Sequence, residues 1–303
     1  MKGLWLLVII LILSSPCGVE AGEAEERLSP GDAFYKEGRL EEAISEFKKA
    51  VELDPRLVES WKGLARAYKD EGLLDRAIAT YEEASRHNPK DAELRILLGY
   101  AYLEEGDRRE AIEQFKKALK LGPKNKRAEY HMALGDAYFQ EGNYKEAIAG
   151  YKKALKMNPG LPEAHMRLGH TYFAMRDFEK ALGELEKAVK LEPNKADWHV
   201  LLGSTYFAMG AFDKALGAYR YSLEVDPKQA QPHFLLGRAY YTQRRYDESV
   251  AEYKKALELD PDSPAIHLQL SEAYRSLGRF DEAQREYELY RKSLQREPSV
   301  RRE

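Results

Sequence analysis

The chain has 303 residues, of which 48 are basic and 51 acidic, so its formal net charge at pH 7 is −3. This balance excludes a surface that binds nucleic acid or anionic membranes through bulk positive charge. By length alone the chain could form two ordinary domains.

The first residues are typical of a secretory signal peptide. Met1-Lys2 supplies a positive start, and the 11 apolar residues that follow, Gly3 to Leu13, are too few to span a bilayer. Val19 and Ala21 form a small-x-small cleavage pattern, so we expect residues 1–21 to be removed. The mature chain would then contain no cysteine and suit an oxidising compartment. We therefore expect an exported protein, with the periplasm favoured.

Two alternatives to this cleavage remain open. Cys17, the only cysteine, could be lipidated to give an envelope lipoprotein, although Ser14-Ser15-Pro16 before it fits a lipobox poorly. The segment could also stay attached as an uncleaved anchor. In both cases, membrane contact would be confined to the N-terminal segment.

Seven prolines recur at a nearly constant interval along the rest of the chain. They are Pro55, Pro89, Pro123, Pro159, Pro193, Pro227 and Pro261. Successive prolines are 34 residues apart, except for one interval of 36 that contains Lys126 and Arg127 as extra residues. A fixed period of this length is the signature of a stacked repeat protein.

Small and aromatic residues keep the same period and predict two helices per unit. In one unit Leu168, Gly169 and Tyr172 lie at i, i+1 and i+4, on one helical face. Between the two helices most units carry a glycine, which permits the positive φ that ends a helix. Arg176 and Arg244 replace this glycine in two units, so we expect those turns to be strained or differently shaped.

At these residues the chain resembles the tetratricopeptide repeat family, over about Ala24 to Glu297. The resemblance implies an all-α fold, a right-handed α-α superhelical solenoid of about eight helix-turn-helix repeats. The expected units are about 24–57, 58–91, 92–125, 128–161, 162–195, 196–229, 230–263 and 264–297. Residues 298–303 are expected to fray.

The two end units depart from the pattern. Ser29-Pro30-Gly31-Asp32 is typical of a helix start, so we expect a short first helix that begins near Pro30. Tyr290 replaces the alanine against which a following unit would pack. We therefore expect the last helix to run to about Glu297 and to cap the repeats.

Five histidines share one repeat position and suggest a metal ladder. They are His131, His165, His199, His233 and His267. Neighbouring helices lie about 8–10 Å apart, whereas zinc ligands converge to about 2.1 Å from one ion. Trp61 occupies the same position in the second unit, so we interpret the column as packing and expect no metal and no cofactor. Because no catalytic or phosphate-binding motif occurs, we also expect no enzymatic activity; an enzyme site in the groove is the weaker alternative.

The resemblance implies that the first helices of the units line a groove. The groove residues lie beside the repeat positions that Leu168 and Tyr172 occupy in their unit. An apolar and aromatic stripe with single polar groups follows this line, and we expect it to face solvent and to bind a partner. The groove residues are Met132, Phe139, Met166, His170, Phe173, Val200, Phe207, Phe234, Arg238 and Tyr241. The alternative interpretation is that these aromatics partly pack against neighbouring helices.

The expected partner is an extended or helical protein or peptide segment, and not nucleic acid. One family variant grips a peptide carboxylate with lysine, arginine and asparagine, but no asparagine occurs in these columns here. Only Lys62, Arg66 and Lys69, which share one helical face, could contact an anion. Two further alternatives are a homo-oligomer that associates through the stripe and an assembly factor for pili or envelope complexes.

Overall fold

A computed structural model describes the backbone of residues 16–296. Most of the predicted signal peptide (residues 1–15 of it) and the predicted tail, 298–303, lie outside the described residues. The described chain forms sixteen α-helices and no strand, which confirms the all-α prediction. It divides into two compact units, with the boundary between Pro159 and Gly160.

Each unit is a succession of helix pairs. The first unit contains α1 (Pro16–Lys36), α2 (Leu40–Leu53), α3 (Val58–Asp70), α4 (Leu74–His87), α5 (Ala92–Glu105), α6 (Arg108–Leu121), α7 (Arg127–Gln140) and α8 (Tyr144–Met157). The second contains α9 (Pro162–Ala174), α10 (Phe178–Leu191), α11 (Ala196–Ala208), α12 (Phe212–Val225), α13 (Ala230–Thr242), α14 (Tyr246–Leu259), α15 (Pro264–Ser276) and α16 (Phe280–Arg296). We call the odd-numbered helices first helices and the even-numbered ones second helices. Within each unit, every helix packs against the next one along the chain.

A left-handed residue closes the turn inside each pair. Gly72, with φ of 81°, donates its amide to the Lys69 carbonyl, and the next amide reaches back to Tyr68. This arrangement satisfies the carbonyls left free at the helix end. Arg176 and Arg244 take the same conformation with φ of 62° and 60°, which costs an L side chain about 1 kcal/mol or more. The prediction that these two turns are strained is therefore confirmed.

The helices of a pair approach closely because a small residue faces a bulky side chain. A Cβ atom added to Gly203 on α11 would lie 2.6 Å from Cε1 of Tyr219 on α12. The Tyr219 ring is fully enclosed and cannot retreat. The same relation holds sixteen residues apart in other pairs, for example between Gly135 and Tyr151. The small residues that recur with the period of the sequence therefore set the distance between the helix axes.

The first helix differs from the prediction, because it already includes Pro16, the first described residue, and so does not begin near Pro30. Pro30 lies inside α1 and has no amide hydrogen, so the helix loses one backbone hydrogen bond there. Contacts on the N-terminal side of the proline hold the helix together. Leu28 packs against the first hydrophobic core, and Nη1 of Arg27 lies 3.4 Å from Oε2 of Glu46. The predicted cleavage site after Ala21 falls within this helix.

The last helix presents a more polar outer face than the second helices before it. Gln284 and Arg291 stand where α14 has Val250 and Leu257. The side chain of Tyr287 is 42% exposed, although its counterpart Tyr253 is fully buried. Such a face is typical of terminal repeats, which keep the end of a helical array soluble. Between residues 16 and 296, no helix has both the length and the apolar character needed to cross a membrane.

Two glycine-to-alanine changes in one helix pair should have opposite effects on stability. Gly203→Ala should destabilise the protein by about 1–3 kcal/mol, because the new methyl group overlaps the ring of Tyr219. Gly217→Ala, on the facing helix α12, should stabilise it by about 0.5–1 kcal/mol, because no atom lies within 4 Å of the added Cβ. Chemical denaturation of both variants measures the difference. Equal effects would contradict the close-approach interpretation.

Candidate protein-binding face

The groove aromatics predicted from the sequence pack in pairs with a second aromatic residue. In the first unit the ring of Phe139 lies 5.4 Å from that of Tyr144. The second unit repeats this contact between Phe173 and Phe178 at 5.6 Å, Phe207 and Phe212 at 5.3 Å, and Tyr241 and Tyr246 at 5.3 Å. Each contact joins the end of a first helix to the start of its second helix. The aromatics therefore hold the turn as well as lining the face.

The predicted stripe is only partly open to solvent. The side chains of Met132, Met166, Phe234 and the four paired aromatics are half-buried, whereas His170 and Arg238 are exposed. Val200 is 6% exposed and belongs to the core, so it offers almost no contact area. The alternative interpretation, in which these residues pack against neighbouring helices, thus accounts for the buried part of their surface. The remaining exposed ring area is what a partner could contact.

In the second unit the stripe carries one arginine on aromatic rings. Cζ of Arg238 lies 5.6 Å from the ring centre of Phe207 and 5.9 Å from that of Phe234. Further along, Oη of Tyr241 lies 3.2 Å from Oγ of Ser276 on the next first helix. The structure therefore brings Phe207, Phe234 and Arg238 together on one surface, where cation–π contact holds the guanidinium in place.

The three basic residues proposed for anion contact in the first unit all have acidic neighbours. Nζ of Lys62 lies 2.9 Å from Glu59 and 3.1 Å from Glu93. Nζ of Lys69 lies 2.6 Å from Glu104. Arg66 lies 3.9 Å from a carboxylate oxygen of Asp32 and stacks on Tyr35 at 4.2 Å. An anionic ligand would have to compete with these carboxylates.

The histidine column contributes hydrogen bonds to the fold. Nε2 of His199 donates to the carbonyl of Pro193 at 2.8 Å, as Nε1 of Trp61 does to Pro55 at 2.9 Å. Nδ1 of His165 lies 2.6 Å from Oε2 of Glu184 on the second helix. These rings tie a first helix to the preceding loop or to its partner helix. Among the described residues, no group of three or more candidate ligands could hold a metal ion.

Large apolar side chains that the sequence analysis did not single out are exposed at the ends of first helices. Met175 after α9 and Met209 after α11 are 43% and 40% exposed, more than any of the paired aromatics. In the sequence, both methionines lie between the two members of an aromatic pair. Their identical place in the 34-residue register was a signal that could have found them.

Comparisons with known proteins agree with this architecture. The family model described as Cilia and flagella-associated protein 70 C-terminal domain matches residues 125–301. The model described as Tetratricopeptide repeat matches residues 34–99 and 70–137. The chain therefore belongs to the tetratricopeptide repeat family, as its sequence predicted. No curated protein matches it significantly.

Solved structures show the same fold. A tetratricopeptide repeat protein from Parabacteroides merdae superposes with a TM-score of 0.64 at 18% identity, over 82% of this chain and 98% of that one. The Cut9–Hcn1 hetero-tetramer of the APC/C gives 0.62 at 18% identity, over 80% and 48%. MamA gives 0.52 at 26% identity, over 54% of this chain and 95% of that protein.

The carboxylate of Glu184 should contribute to stability only while it is ionised. Burial opposes ionisation, but hydrogen bonds from Lys187 and His165 outweigh it and lower the pKa of this carboxyl. Glu184→Gln should therefore lower the unfolding free energy by about 1–2 kcal/mol at neutral pH. Because the folded-state pKa is depressed, the difference should be complete above about pH 4.3, the ordinary pKa of a glutamate, and should be lost as the pH falls through the depressed value.

Urea unfolding at several pH values measures this dependence. Glu179→Gln, which changes an exposed carboxyl on the same helix, is the matched control and should have little effect. A loss for Glu184→Gln that stayed the same down to the most acidic pH at which the protein remains folded would show that shape, and not charge, is responsible.

Proposed function

We propose that this protein is an exported, non-enzymatic scaffold that binds an extended or helical segment of a partner protein on the face of its first helices. The observation that supports this proposal best is the repeated, half-buried aromatic row of the second unit, Phe173, Phe207 and Tyr241. Stacked helical repeats present such rows at regular intervals and use them as extended binding surfaces.

The chemistry of the face favours a protein ligand. Aromatic side chains and arginine are enriched at the centres of protein interfaces, and Phe207 with Arg238 forms such a combination. One cleft of the described chain has a different character. It has a volume of about 630 Å³, is lined mainly by charged residues of two turns, including Glu105, Asp107 and Glu141, and carries no nucleophile with a neighbouring base.

The partner should be captured from an envelope extract with the mature chain as bait, and the face tested with Phe173→Ala. We expect the affinity for the captured partner to fall by more than about 2 kcal/mol, as for an interface anchor. We expect a smaller stability loss than the roughly 3–5 kcal/mol of a buried phenylalanine. Phe115→Ala, at a fully buried ring, provides that reference.

The outcomes separate the interpretations. If Phe173→Ala destabilises the protein as much as Phe115→Ala does, the ring is a core residue and the face is not a binding site. If neither stability nor affinity changes, the partner binds elsewhere. Sedimentation at several concentrations addresses the second candidate, in which the stripe joins copies of this chain into a homo-oligomer.

Export is proposed from the N-terminal sequence alone. We expect secreted material to begin at Gly22 and to be found in the soluble periplasmic fraction, where N-terminal sequencing can identify it. A lipid on Cys17 would instead support the envelope lipoprotein. Recovery of intact Met1 in the membrane fraction would support an uncleaved anchor. A role in the assembly of pili or envelope complexes would be compatible with each of these three localisations.

A further inference from the structure

Three turns of the second unit, those that follow α9, α11 and α13, occupy the same place in the 34-residue repeat, and we call them together the turn edge. Met175 and Met209 expose their side chains there. The last two of these turns are linked, because Nε2 of Gln243 donates to Oδ1 of Asp213 at 3.0 Å. Methionine adapts its shape to different apolar partners. The turn edge thus offers apolar contact area beside the aromatic row.

Two arginines of the turn edge adopt a backbone conformation that favours glycine. Arg176 and Arg244 have φ of 62° and 60°, whereas the turn between them uses Gly210 with φ of 76°. A Cβ added to Gly210 would have no atom within 4 Å, so the site has room for either residue. Glycine at both positions would adopt this φ without strain and would make the fold more stable. Strain of this kind in a folded protein points to a role outside folding.

Neither guanidinium is neutralised within the part of the chain that the structure describes. Arg176 and Arg244 are exposed, and their guanidinium groups have no ion pair or hydrogen bond among the described residues. The acidic neighbour Asp177 instead accepts from Nζ of Lys180 at 2.5 Å. Arg238, a third arginine without a carboxylate partner in the described range, lies on the adjoining first-helix face.

The first unit is acidic at a repeat position where the second unit is uncharged. Where the second unit has Met175, Met209, Gln243 and Leu277, the first has Glu37, Glu71, Glu105 and Glu141. At this position the second unit is therefore uncharged and the first unit is acidic, and only the second unit adds arginines, Arg176 and Arg244, at the next position. Arginine forms paired, directional hydrogen bonds with carboxylates, so exposed arginines beside apolar groups favour an acidic ligand.

We infer that the turn edge of the second unit binds a partner segment in which acidic side chains alternate with apolar ones. Its carboxylates contact Arg176 and Arg244, and its apolar side chains contact Met175 and Met209. This inference rests on the proposed binding function and gives the partner segment a definite chemistry. Charge complementarity selects the segment, and the methionines and aromatic pairs supply apolar contact.

The test begins with a random-peptide library displayed on phage and selected against the mature chain. Enriched sequences should combine Asp or Glu with Leu, Met or Phe. Synthetic fluorescein-labelled copies of these peptides then serve as probes in anisotropy titrations. Replacing their acids by amides should weaken binding at least tenfold. Enrichment of neutral or basic sequences, or no enrichment, would overturn the inference.

Three double variants separate charge from backbone conformation. Arg176→Gln with Arg244→Gln should weaken peptide binding at least tenfold, whereas the corresponding lysine variant should retain most of it. The glycine variant should weaken binding as much as the glutamine variant while raising the midpoint of thermal unfolding, because it relieves the strained φ. Arg86→Gln, an exposed arginine on α4, is the control and should change neither. Unchanged peptide binding in the glutamine and glycine variants would contradict the inference.

Phe173→Ala distinguishes failure of this inference from failure of the proposed function. If Phe173→Ala weakens peptide binding and the arginine variants do not, the first-helix face stands and the turn edge is wrong. If only the arginine variants weaken it, the turn edge stands and the aromatic face is wrong. A mass that rises with concentration and is abolished by the glutamine variant would identify a second copy as the occupant, which would overturn a partner of another kind.

Discussion

The close approach of two helices within each pair is the constraint on which the rest of the structure depends. A glycine on the first helix faces a large side chain on the second, as Gly169 faces Leu185 and Gly203 faces Tyr219. Ser271 takes this place in the last pair and donates its hydroxyl to the carbonyl of Ala283 at 2.8 Å. Because this distance is fixed in pair after pair, the residues beside it recur at equivalent places. The aromatic row and the turn edge both follow from that regularity.

The period of the sequence was sufficient to predict the helix pairs, because it reports packing that every unit must satisfy. Leu168, Gly169 and Tyr172 could be assigned to one face of a helix from spacing alone. The beginning of α1 could not, because Pro30 is a strong local signal for a helix start. It was overridden by tertiary contacts of Arg27 and Leu28, which no local pattern reveals.

The candidate site was predicted less completely than the fold. The position of Phe173 on the groove side was visible in the sequence, but its degree of burial depended on Phe178, five residues later in another helix. Val200 was assigned to the same stripe but is buried. A shared repeat position predicts the direction in which a side chain points, and not how far neighbouring side chains cover it. Met175 escaped notice because exposed helix ends contribute nothing to the hydrophobic period.

The two strained turns also affect where the second unit opens. Local opening of a repeat protein begins where the folded conformation is least stable, and the strained turns at Arg176 and Arg244 flank the relaxed turn at Gly210. Their helix pairs, α9–α10 and α13–α14, should therefore exchange amide hydrogens faster than α11–α12 in the free protein. A ligand that held the two arginines would raise the free energy of both openings. Binding of a ligand would thus be measured as slower amide exchange in α9–α10 and α13–α14, whereas exchange in α11–α12 would scarcely change.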